Sequence, residues 1–566
     1  MARSVGGEYA QTDPLLGPSK NPKFGDYQAN VAMSLGKQLK RKPREVAEAI
    51  AAELDVEELC DKVEVAGPGF INLYLRASFL SDQLDVLARD TLLGIARADP
   101  SQTVVVDYSS PNLAKEMHIG HIRSTCIGDS IVRVLEALGH RVIRQNHVGD
   151  WGTQFGMLLE HLMDTGWDRA ADHTIADLDE LYQAARRRFD DDSDFVDRAR
   201  WRVVSLQGGD ERTLDLWRQM IGESIRHMNG IYSRLGVRLT DEDIRPESFY
   251  NAMLVGVIED LGRAGLLRES QGAKVVFCDG FFDPNGDPLP MIVQKSDGGY
   301  LYATTDLAGI RYRVRELKAD RVIYVTDPRQ SQHFAMVFQT VRRSGWAADD
   351  VRIEHVPFGT ILGKNRKPFK TREGGTVRLS DVLDDAERRA AEVLATKNPD
   401  LDESRRSEIA RVVGIGALKY ADLSNDRQKD YVFDWDRMLA LEGNTSPYLQ
   451  NAYVRIRSIF RKGEIIMDAV RTQPLAVAHE NERGLALKLL QFSTVVSAVG
   501  ESLEPHRLCT YLHEVAALFH QFYENCPVLN AEDAATRDSR LRICDVTART
   551  LRVGLDILGI GVVEQM

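Results

Sequence analysis

The sequence predicts a multidomain α/β protein, in which a doubly wound parallel sheet follows a small α+β unit and precedes an all-α helical bundle. Three observations predict this class. The chain has 566 residues, more than one hydrophobic core supports. Strand and helix patterns alternate in two separated stretches, which is typical of βαβ units, and beyond about residue 381 only helical periodicity remains.

The first domain is predicted over residues 1–100. Residues 27–39 and 43–54 show helical periodicity, and two alternating runs follow at 62–66 and 70–75, hinged at Gly67 and Gly69. This order predicts a small α+β domain.

The second domain is predicted over residues 101–380 as a Rossmann-type unit. Residues 103–108 indicate a buried parallel strand, the next helix ends at Gly139, and 142–146 is the following strand. The same order returns later, with helices at 304–317 and 330–343 and strands at 321–325 and 351–358. The two halves flank a charged, largely helical insertion at about 165–273, to which no motif assigns a role.

The remaining chain is predicted to be helical, with a stem at 381–446 and an all-α bundle at 447–566. In the bundle, one helical face carries the apolar side chains Leu449, Tyr453, Ile456 and Phe460, and another carries Gln450, Arg457 and Arg461.

Composition excludes several classes of protein. A net charge of −12 argues against nonspecific coating of DNA or other nucleic acid, which depends on a broad positive surface. No run of about 18 apolar residues predicts a membrane span, and no targeting signal is legible, so we expect a cytoplasmic protein. The six cysteines are scattered without zinc-ligand spacing, so we expect reduced thiols and no metal site.

A phosphate-binding element is predicted where the first strand of the sheet leads into its helix. His118, Gly120 and His121 stand near that helix start, and helix N-termini favour anions. Gly120 would allow a nucleotide to approach the backbone. The four residues 118–121 (HIGH), taken alone, are also compatible with a surface histidine pair or with half of a metal site.

The longer string at residues 110–121 (SPNLAKEMHIGH), continued by GDWGTQFG at 149–156, resembles the HIGH element of arginyl-tRNA synthetases, which are class I aminoacyl-tRNA synthetases. The resemblance implies ATP, L-arginine and tRNA(Arg) as substrates and Mg²⁺ as a cofactor for which no ligand can be assigned. It also implies that bound tRNA is needed before arginine is activated. His118 and His121 would then donate to the ATP phosphates.

A basic segment at residues 363–375 (GKNRKPFKTREGG) departs from the KMSKS loop usual in class I synthetases. Depending on how the segment aligns with KMSKS, Lys367 and Lys370 are its two lysines, or Thr371 stands in the place of the second lysine. Members of the family with a degenerate loop carry a lysine just before the HIGH element, and Lys115 matches that position. Lys115 is therefore the candidate for the missing phosphate charge.

A pocket for arginine should be acidic and aromatic, because a guanidinium pairs best with carboxylates. Tyr302 and Asp306, at i and i+4 of a helix start, resemble the family's substrate-binding segment. Asp306 would bind the guanidinium, and Asp107 would hold the α-ammonium or add to the acidic pocket. By the same resemblance Asn112 and Gln330 orient arginine, and His333 lies toward the nucleotide.

Residues that would contact tRNA are predicted in both terminal domains. GPGFIN at 67–72 resembles the family's D-loop reader, so Phe70 would stack on a base and Asn72 would read its edge, although Gly67 departs from the asparagine of some members. In the bundle, EGNTSPYLQNAY at 442–453, FYENCPVL at 522–529 and VEQM at 563–566 resemble the anticodon-binding domain. Tyr448, Tyr453 and Met566 are the candidate contacts, with Tyr453 equally placed to be core.

Two alternatives remain open on the sequence. Another H-x-G-H nucleotidyltransferase would not need the basic helical C-terminal module. A tRNA-binding paralogue without catalysis would not need both histidines, Lys115 and Asp306, which are all present. The sequence gives no oligomeric state, and we expect a monomer.

Overall fold

The computed structural model describes residues 5–166, 178–369 and 377–566. Its N-terminal domain is a four-stranded antiparallel sheet, with strands side by side in the order 16–18, 27–29, 70–75 and 60–66, against which two helices pack. Its elements are β1 (Leu16–Pro18), β2 (Tyr27–Ala29), α1 (Val31–Leu39), α2 (Pro43–Ala52), β3 (Cys60–Ala66) and β4 (Phe70–Leu75), and α3 (Ala77–Arg89) leads out of the domain.

The predicted helix over 27–39 is wrong at its start. Tyr27 and Ala29 pair with Leu73 and Ile71 of β4, so the first three residues form a strand. Three residues are too few to show an alternating pattern, and the partner strand lies more than 40 residues further along the chain.

The central sheet is parallel throughout, as the sequence predicts, and its strands lie side by side in the order 352–355, 321–324, 103–107 and 141–145. Its strands are β5 (Thr103–Asp107), β6 (Arg141–Gln145), β10 (Arg321–Tyr324) and β11 (Arg352–His355). The helices that cover it are α4 (His121–Ala137), α10 (Tyr302–Arg315) and α11 (Ser331–Arg343). The connections from β5 and β10 run to opposite sides, so a crevice opens between their carboxyl ends.

The insertion is helical and then forms a small sheet. Its helices are α5 (Thr153–Asp164), α6 (Leu178–Asp191), α7 (Ser193–Gln207), α8 (Glu211–Leu235) and α9 (Asn251–Arg263). An antiparallel sheet of β7 (Leu267–Ser270), β8 (Ala273–Phe282) and β9 (Pro288–Gln294) follows. The insertion therefore extends past the predicted end at 273.

The C-terminal third is helical apart from one short strand. The helices are α12 (Leu379–Lys397), α13 (Glu403–Leu423), α14 (Trp435–Met438), α15 (Ser446–Lys462), α16 (Met467–Arg471), α17 (Glu480–Leu489), α18 (Phe492–Ser502), α19 (His506–Asn525) and α20 (Ala534–Ile557). The strand β13 (Tyr431–Val432) pairs with β12 (Ile361–Leu362), which the helical pattern did not predict.

The predicted apolar face of α15 is buried, but the predicted polar face is only partly correct. Leu449, Tyr453, Ile456 and Phe460 lie in the core. Gln450 is also buried, and its side-chain amide donates to the carbonyl of Gly561 at 2.8 Å. This hydrogen bond offsets the free-energy penalty of burying the amide.

A buried arginine joins the central domain to the helical stem. Arg123 of α4 is 1% exposed, and its Nε lies 2.8 Å from Oδ1 of Asp422 in α13. Its two terminal nitrogens donate to the carbonyls of Lys429 and Arg427 at 3.1 and 3.2 Å. The helix that begins at His121 is thus fixed to the chain segment that follows the stem helices.

The six cysteines are all free and buried, as expected for reduced thiols. In the described part of the chain, no helix has both the length and the apolar character that crossing a membrane requires. Over the same residues, no group of three or more His, Cys, Asp or Glu side chains is arranged to hold a metal ion.

Candidate active site

A cavity of about 1030 Å³ opens at the carboxyl edge of the central sheet. It is lined by the segment that follows β5, the start of α4, the start of α10, the turn at 326–333 and residues 358–361, 368 and 369. This is the crevice at which ligands bind in doubly wound sheets.

Two histidines stand on the side of the cavity formed by the start of α4. Their ring centroids are 3.9 Å apart. Nδ1 of His121 accepts a hydrogen bond from the main-chain N–H of His118 at 3.0 Å, and Nδ1 of His118 accepts from that of Gly120 at 3.0 Å. Because both Nδ1 atoms accept, the pattern assigns the ring proton of each histidine to Nε2.

Burial, together with the neighbouring imidazole, lowers the pKa of His121 to about 3. His121 is therefore a neutral N–H donor at ordinary pH. The structure gives a reason for a glycine at position 120 that differs from the predicted close approach of a nucleotide. A Cβ at this position would lie 2.8 Å from Cε1 of His118, so glycine makes room for the histidine ring.

Asp306 and Tyr302, at the start of α10, also line the cavity. Oδ2 of Asp306 lies 2.6 Å from Nε2 of His333. The ring of Tyr302 is 66% exposed and its centroid is 4.9 Å from that of His333. His333, predicted to lie toward the nucleotide, thus contacts the two residues predicted to bind arginine.

Asp107 lies in the cavity wall, but its charge already has a partner. It is 3% exposed, and its Oδ2 accepts from a terminal nitrogen of Arg313 at 2.5 Å. Its Oδ1 accepts from the hydroxyl of Ser110 at 2.9 Å. A guanidinium 206 residues along the chain thus neutralises the carboxylate, which favours the alternative that Asp107 adds to the wall of the acidic pocket over the one in which it holds the α-ammonium.

Asn112 and Gln330 both line the cavity. Oδ1 of Asn112 accepts from the main-chain N–H of Ala114 at 2.9 Å, which leaves the amide Nδ2 as the donor for a ligand. Gln330 is exposed and immediately precedes α11. Both positions agree with side chains that orient a substrate.

Lys115 is not among the residues that line this cavity. Its ammonium lies 4.3 Å from the ring centroid of Tyr182 in α6, a cation–π contact on the side of the insertion. A role for Lys115 on the ATP phosphates therefore requires this side chain to change its rotamer.

The described part of the basic segment, residues 363–369, contributes Pro368 and Phe369 to the lining of the cavity. Lys367 is exposed in a tight turn, in which its carbonyl accepts from the N–H of Gly363 at 2.8 Å. Lys370 and Thr371 lie outside the described residues. Where the described chain resumes, the N–H of Ile119 donates to the carbonyl of Val377 at 3.0 Å, so this part of the chain runs beside the histidines.

Among the cavity residues that sequence reasoning missed are Glu247 and His147. Burial raises the pKa of the Glu247 carboxyl, His147 lowers it, and the nearby carboxylates of Asp150 and Asp306 raise it. Glu247 lies between α8 and α9 of the insertion and has no local motif. Among the described contacts, the pairing of residues 244–247 with 146–148 is what indicates that Glu247 belongs to the cavity, and this pairing is visible in the fold but not in the sequence.

The candidate tRNA contacts fall into two groups. Phe70 and Tyr448 are half-buried, and the Tyr448 ring lies 5.3 and 5.2 Å from those of His513 and His520. Met566 packs partly exposed against the helical bundle. These three side chains retain surface for a base.

Two predicted tRNA contacts are corrected by their burial. Asn72 is 0% exposed, and its Oδ1 accepts from the side chain of Gln28 at 2.8 Å. Tyr453 is buried, and its hydroxyl donates to Glu564 at 3.0 Å. Neither side chain presents an edge or a face to a base, so both support the surfaces beside them.

Three family descriptions match the chain. Residues 83–435 match "tRNA synthetases class I (R), catalytic domain". Residues 2–75 match "Arginyl tRNA synthetase N terminal domain", and residues 449–566 match "DALR anticodon binding domain". Together these matches cover the N-terminal sheet, the cavity with its histidine pair and the helical bundle.

Curated relatives match over the whole length. The chain is 53% identical to the arginine–tRNA ligase of Thermobifida fusca (strain YX), over 100% of this chain and 97% of that protein. It is 51% identical to that of Cellvibrio japonicus (strain Ueda107), over 100% of this chain and 98% of that protein.

A solved arginyl-tRNA synthetase from Plasmodium falciparum superposes with a TM-score of 0.83 at 30% identity, covering 97% of this chain and 94% of that one. The arginyl-tRNA synthetase of Thermus thermophilus gives 0.80 at 26% identity, covering 97% and 96%. These comparisons confirm the resemblance seen in the motifs: the chain belongs to the arginyl-tRNA synthetases, the arginine-specific ligases of aminoacyl-tRNA synthetase class I.

Proposed function

We propose that this chain activates L-arginine with ATP and transfers the arginyl group to the 3′ end of tRNA(Arg). An oxygen of the arginine carboxylate attacks the α-phosphorus, the bond to the bridging oxygen of pyrophosphate breaks, and arginyl-adenylate forms. A ribose hydroxyl of the terminal adenosine then attacks the arginyl carbonyl, and AMP leaves. The observation that carries the proposal is one cavity lined by the histidine pair, in which His121 is neutral, and by the carboxylates of Asp306 and Glu247.

At the arginine end, Asp306 and Glu247 supply the carboxylates that a guanidinium and an ammonium require. Tyr302 covers the pocket, while Asn112 and Gln330 orient the substrate. Asp107 acts through Arg313 as part of the wall. Arginine analogues that lack the positive charge leave these carboxylates unpaired, which supports rejection by roughly 10,000-fold without an editing domain.

At the ATP end, the Nε2–H groups of His118 and His121 donate to the phosphates as negative charge builds up on them. Neutral donors suit this role, because their hydrogen bonds strengthen with that charge and need no proton transfer. No side chain becomes acylated, so catalysis rests on position and electrostatics. Lys367, Lys370 and Thr371 would close over pyrophosphate, with Lys115 as an additional charge.

Mg²⁺ enters this proposal only as the counter-ion that accompanies ATP. The described residues offer no cluster of metal ligands, so no step is assigned to the ion. The proposal takes the enzyme to be a cytoplasmic monomer that acts on tRNA and not on DNA. The net charge of −12 supports a local rather than a general nucleic-acid surface.

At the tRNA end, Phe70 would contact the D-loop, and Tyr448 and Met566 the anticodon. Phe70 lies in the N-terminal sheet and Tyr448 at the start of the bundle, so the two surfaces belong to different domains. Unpaired bases are read by stacking and by edge contacts, for which half-exposed aromatic side chains are suited.

The decisive experiment is a charging assay with ATP, Mg²⁺ and total tRNA against each of the twenty amino acids. We expect charging with arginine alone. Pyrophosphate exchange, measured with and without tRNA(Arg), should depend on the tRNA. Charging with another amino acid, or with none, would refute the proposal.

A further inference from the structure

The segment GDWG at residues 149–152 stands out in the sequence, but the proposed reaction gives it no role. In the structure its aspartate, Asp150, is 1% exposed. Both carboxylate oxygens accept hydrogen bonds from one residue of the insertion, Ser248. The main-chain N–H of Ser248 donates to Oδ1 at 3.0 Å, and its hydroxyl donates to Oδ2 at 2.5 Å.

Ser248 directly follows Glu247, whose side chain lines the cavity. The main-chain N–H of Glu247 donates to the carbonyl of Val148 at 3.0 Å. The N–H of Arg245 donates to the carbonyl of Asn146 at 2.9 Å. The segment of the insertion at residues 245–248 therefore lies alongside residues 146–150, and the Asp150 carboxylate makes the last contacts of this pairing, one residue after Glu247.

The position of the Glu247 main chain is important, because the glutamate shares its cavity with another acid. The charges of Glu247 and Asp306 repel each other, so without a fixed backbone the flexible Glu247 side chain would turn away. A displacement of about 1 Å in such a site can cost on the order of 100-fold in rate. Precise placement of both carboxylates is what a rigid guanidinium or ammonium partner requires.

We propose that Asp150 is a positioning residue for the arginine pocket: its two hydrogen bonds to Ser248 fix the main chain of Glu247, so that the Glu247 carboxylate meets the substrate together with Asp306. The inference rests on the proposed function, since it assigns Glu247 to arginine. It gives the GDWG segment a task in substrate recognition, although Asp150 itself does not line the cavity.

Asp150 also makes a contact that is purely structural, through its backbone. The carbonyl of Asp150 accepts from the indole N–H of Trp217 in α8 at 2.9 Å, and the rings of Trp151 and Trp217 meet edge to face at 6.3 Å. This link fastens the same segment to the insertion through the backbone and not through the carboxylate. Trp217→Phe removes it without touching Ser248, and provides the matched control.

The test is a double-mutant cycle on arginine KM in aminoacylation, with ATP and tRNA saturating. We expect Glu247→Gln to raise arginine KM, and Asp150→Asn to raise it by about 10-fold with ATP KM within twofold. Ser248→Ala, which keeps the main-chain bond, should give a smaller rise. In Asp150→Asn/Glu247→Gln the rise should not exceed that of Glu247→Gln alone, because Asp150 acts only through Glu247. Trp217→Phe should leave arginine KM unchanged.

The outcomes separate the inference from the proposed function. An unchanged arginine KM in Glu247→Gln removes Glu247 from the pocket, and the inference falls with it. A raised KM in Glu247→Gln beside unchanged values in Asp150→Asn and Ser248→Ala overturns the positioning role alone. Additive effects in the double variant, or a rise in ATP KM equal to that for arginine, overturn it as well. If Asp150→Asn does not fold, Ser248→Ala and its double variant with Glu247→Gln carry the cycle.

Discussion

Replacing Asp306 by asparagine should separate arginine binding from ATP binding. Asparagine keeps the shape of the side chain and an oxygen that can still accept from His333, now 2.6 Å from Oδ2 of the aspartate. Among the described residues, Asp306 and Glu247 are the pocket carboxylates with no arginine or lysine partner, because the charge of Asp107 is taken by Arg313, and the substitution removes one of these two. The change is therefore one of charge at nearly constant geometry.

The expected size follows from the bond that is lost. A hydrogen bond between charged partners contributes about 1.5–3 kcal/mol, and each 1.4 kcal/mol is tenfold in affinity. Arginine KM should rise by roughly 10- to 150-fold, with ATP KM within about twofold. The preference for arginine over citrulline, its uncharged analogue, should fall in parallel, because the asparagine no longer discriminates by charge.

The assay is initial-rate aminoacylation, with arginine varied at saturating ATP and tRNA and then ATP varied at saturating arginine. Thermal unfolding of the variant serves as a control for folding. An arginine KM equal to that of the wild type would remove Asp306 from the pocket. An equal rise in both KM values would show that the variant damages the whole cavity.

Three further predictions test other parts of the molecule. His121→Asn should lower kcat by roughly 100- to 1,000-fold with small changes in KM. The neutral form of His121 donates and its pKa is about 3, so protonation removes activity only as pH falls toward 3. The titration of this histidine should therefore not shape the wild-type pH–kcat profile between about pH 5 and 8. Arg123→Met should destabilise the protein by about 3–5 kcal/mol, seen as a lower Tm, since it leaves the buried carboxylate of Asp422 without its cation; an unchanged Tm contradicts this. Tyr448→Ala should raise tRNA KM by about 5- to 100-fold, whereas Tyr453→Phe, which loses only a buried hydroxyl, should not; equal effects would contradict the assignment.

The parts of the site that the sequence predicts are those encoded in short segments at strand ends. His118, His121 and Asp306 stand within a few residues of a helix start. The strand-to-helix pattern places the two histidines, whereas Asp306 is predicted from the resemblance of residues 302–306 to the family's substrate-binding segment. The parallel sheet is predicted from the alternation of strand and helix patterns, with the buried apolar run of β5 as its first strand.

What the sequence does not show is set by contacts between distant parts of the chain. Glu247 reaches the cavity because its segment pairs with a segment about 100 residues earlier in the chain. The last hydrogen bonds of this pairing join Ser248 to Asp150, 98 residues apart. Arg313 neutralises Asp107 across 206 residues. Burial has the same origin: Asn72 is covered by a neighbouring strand that a local pattern does not reveal.

The buried Arg123 also affects the order in which the protein is completed during synthesis. Its carbonyl partner Arg427 is 304 residues further along the chain. A ribosome that adds about 5–20 residues per second needs roughly 15–60 seconds to reach it. Throughout that interval the guanidinium lacks its carboxylate and carbonyl partners, and a buried charge without partners is strongly unfavourable. The helix that begins at His121 therefore reaches its final packing only when the stem has emerged, and a nascent or truncated chain that ends before Asp422 lacks a finished ATP site.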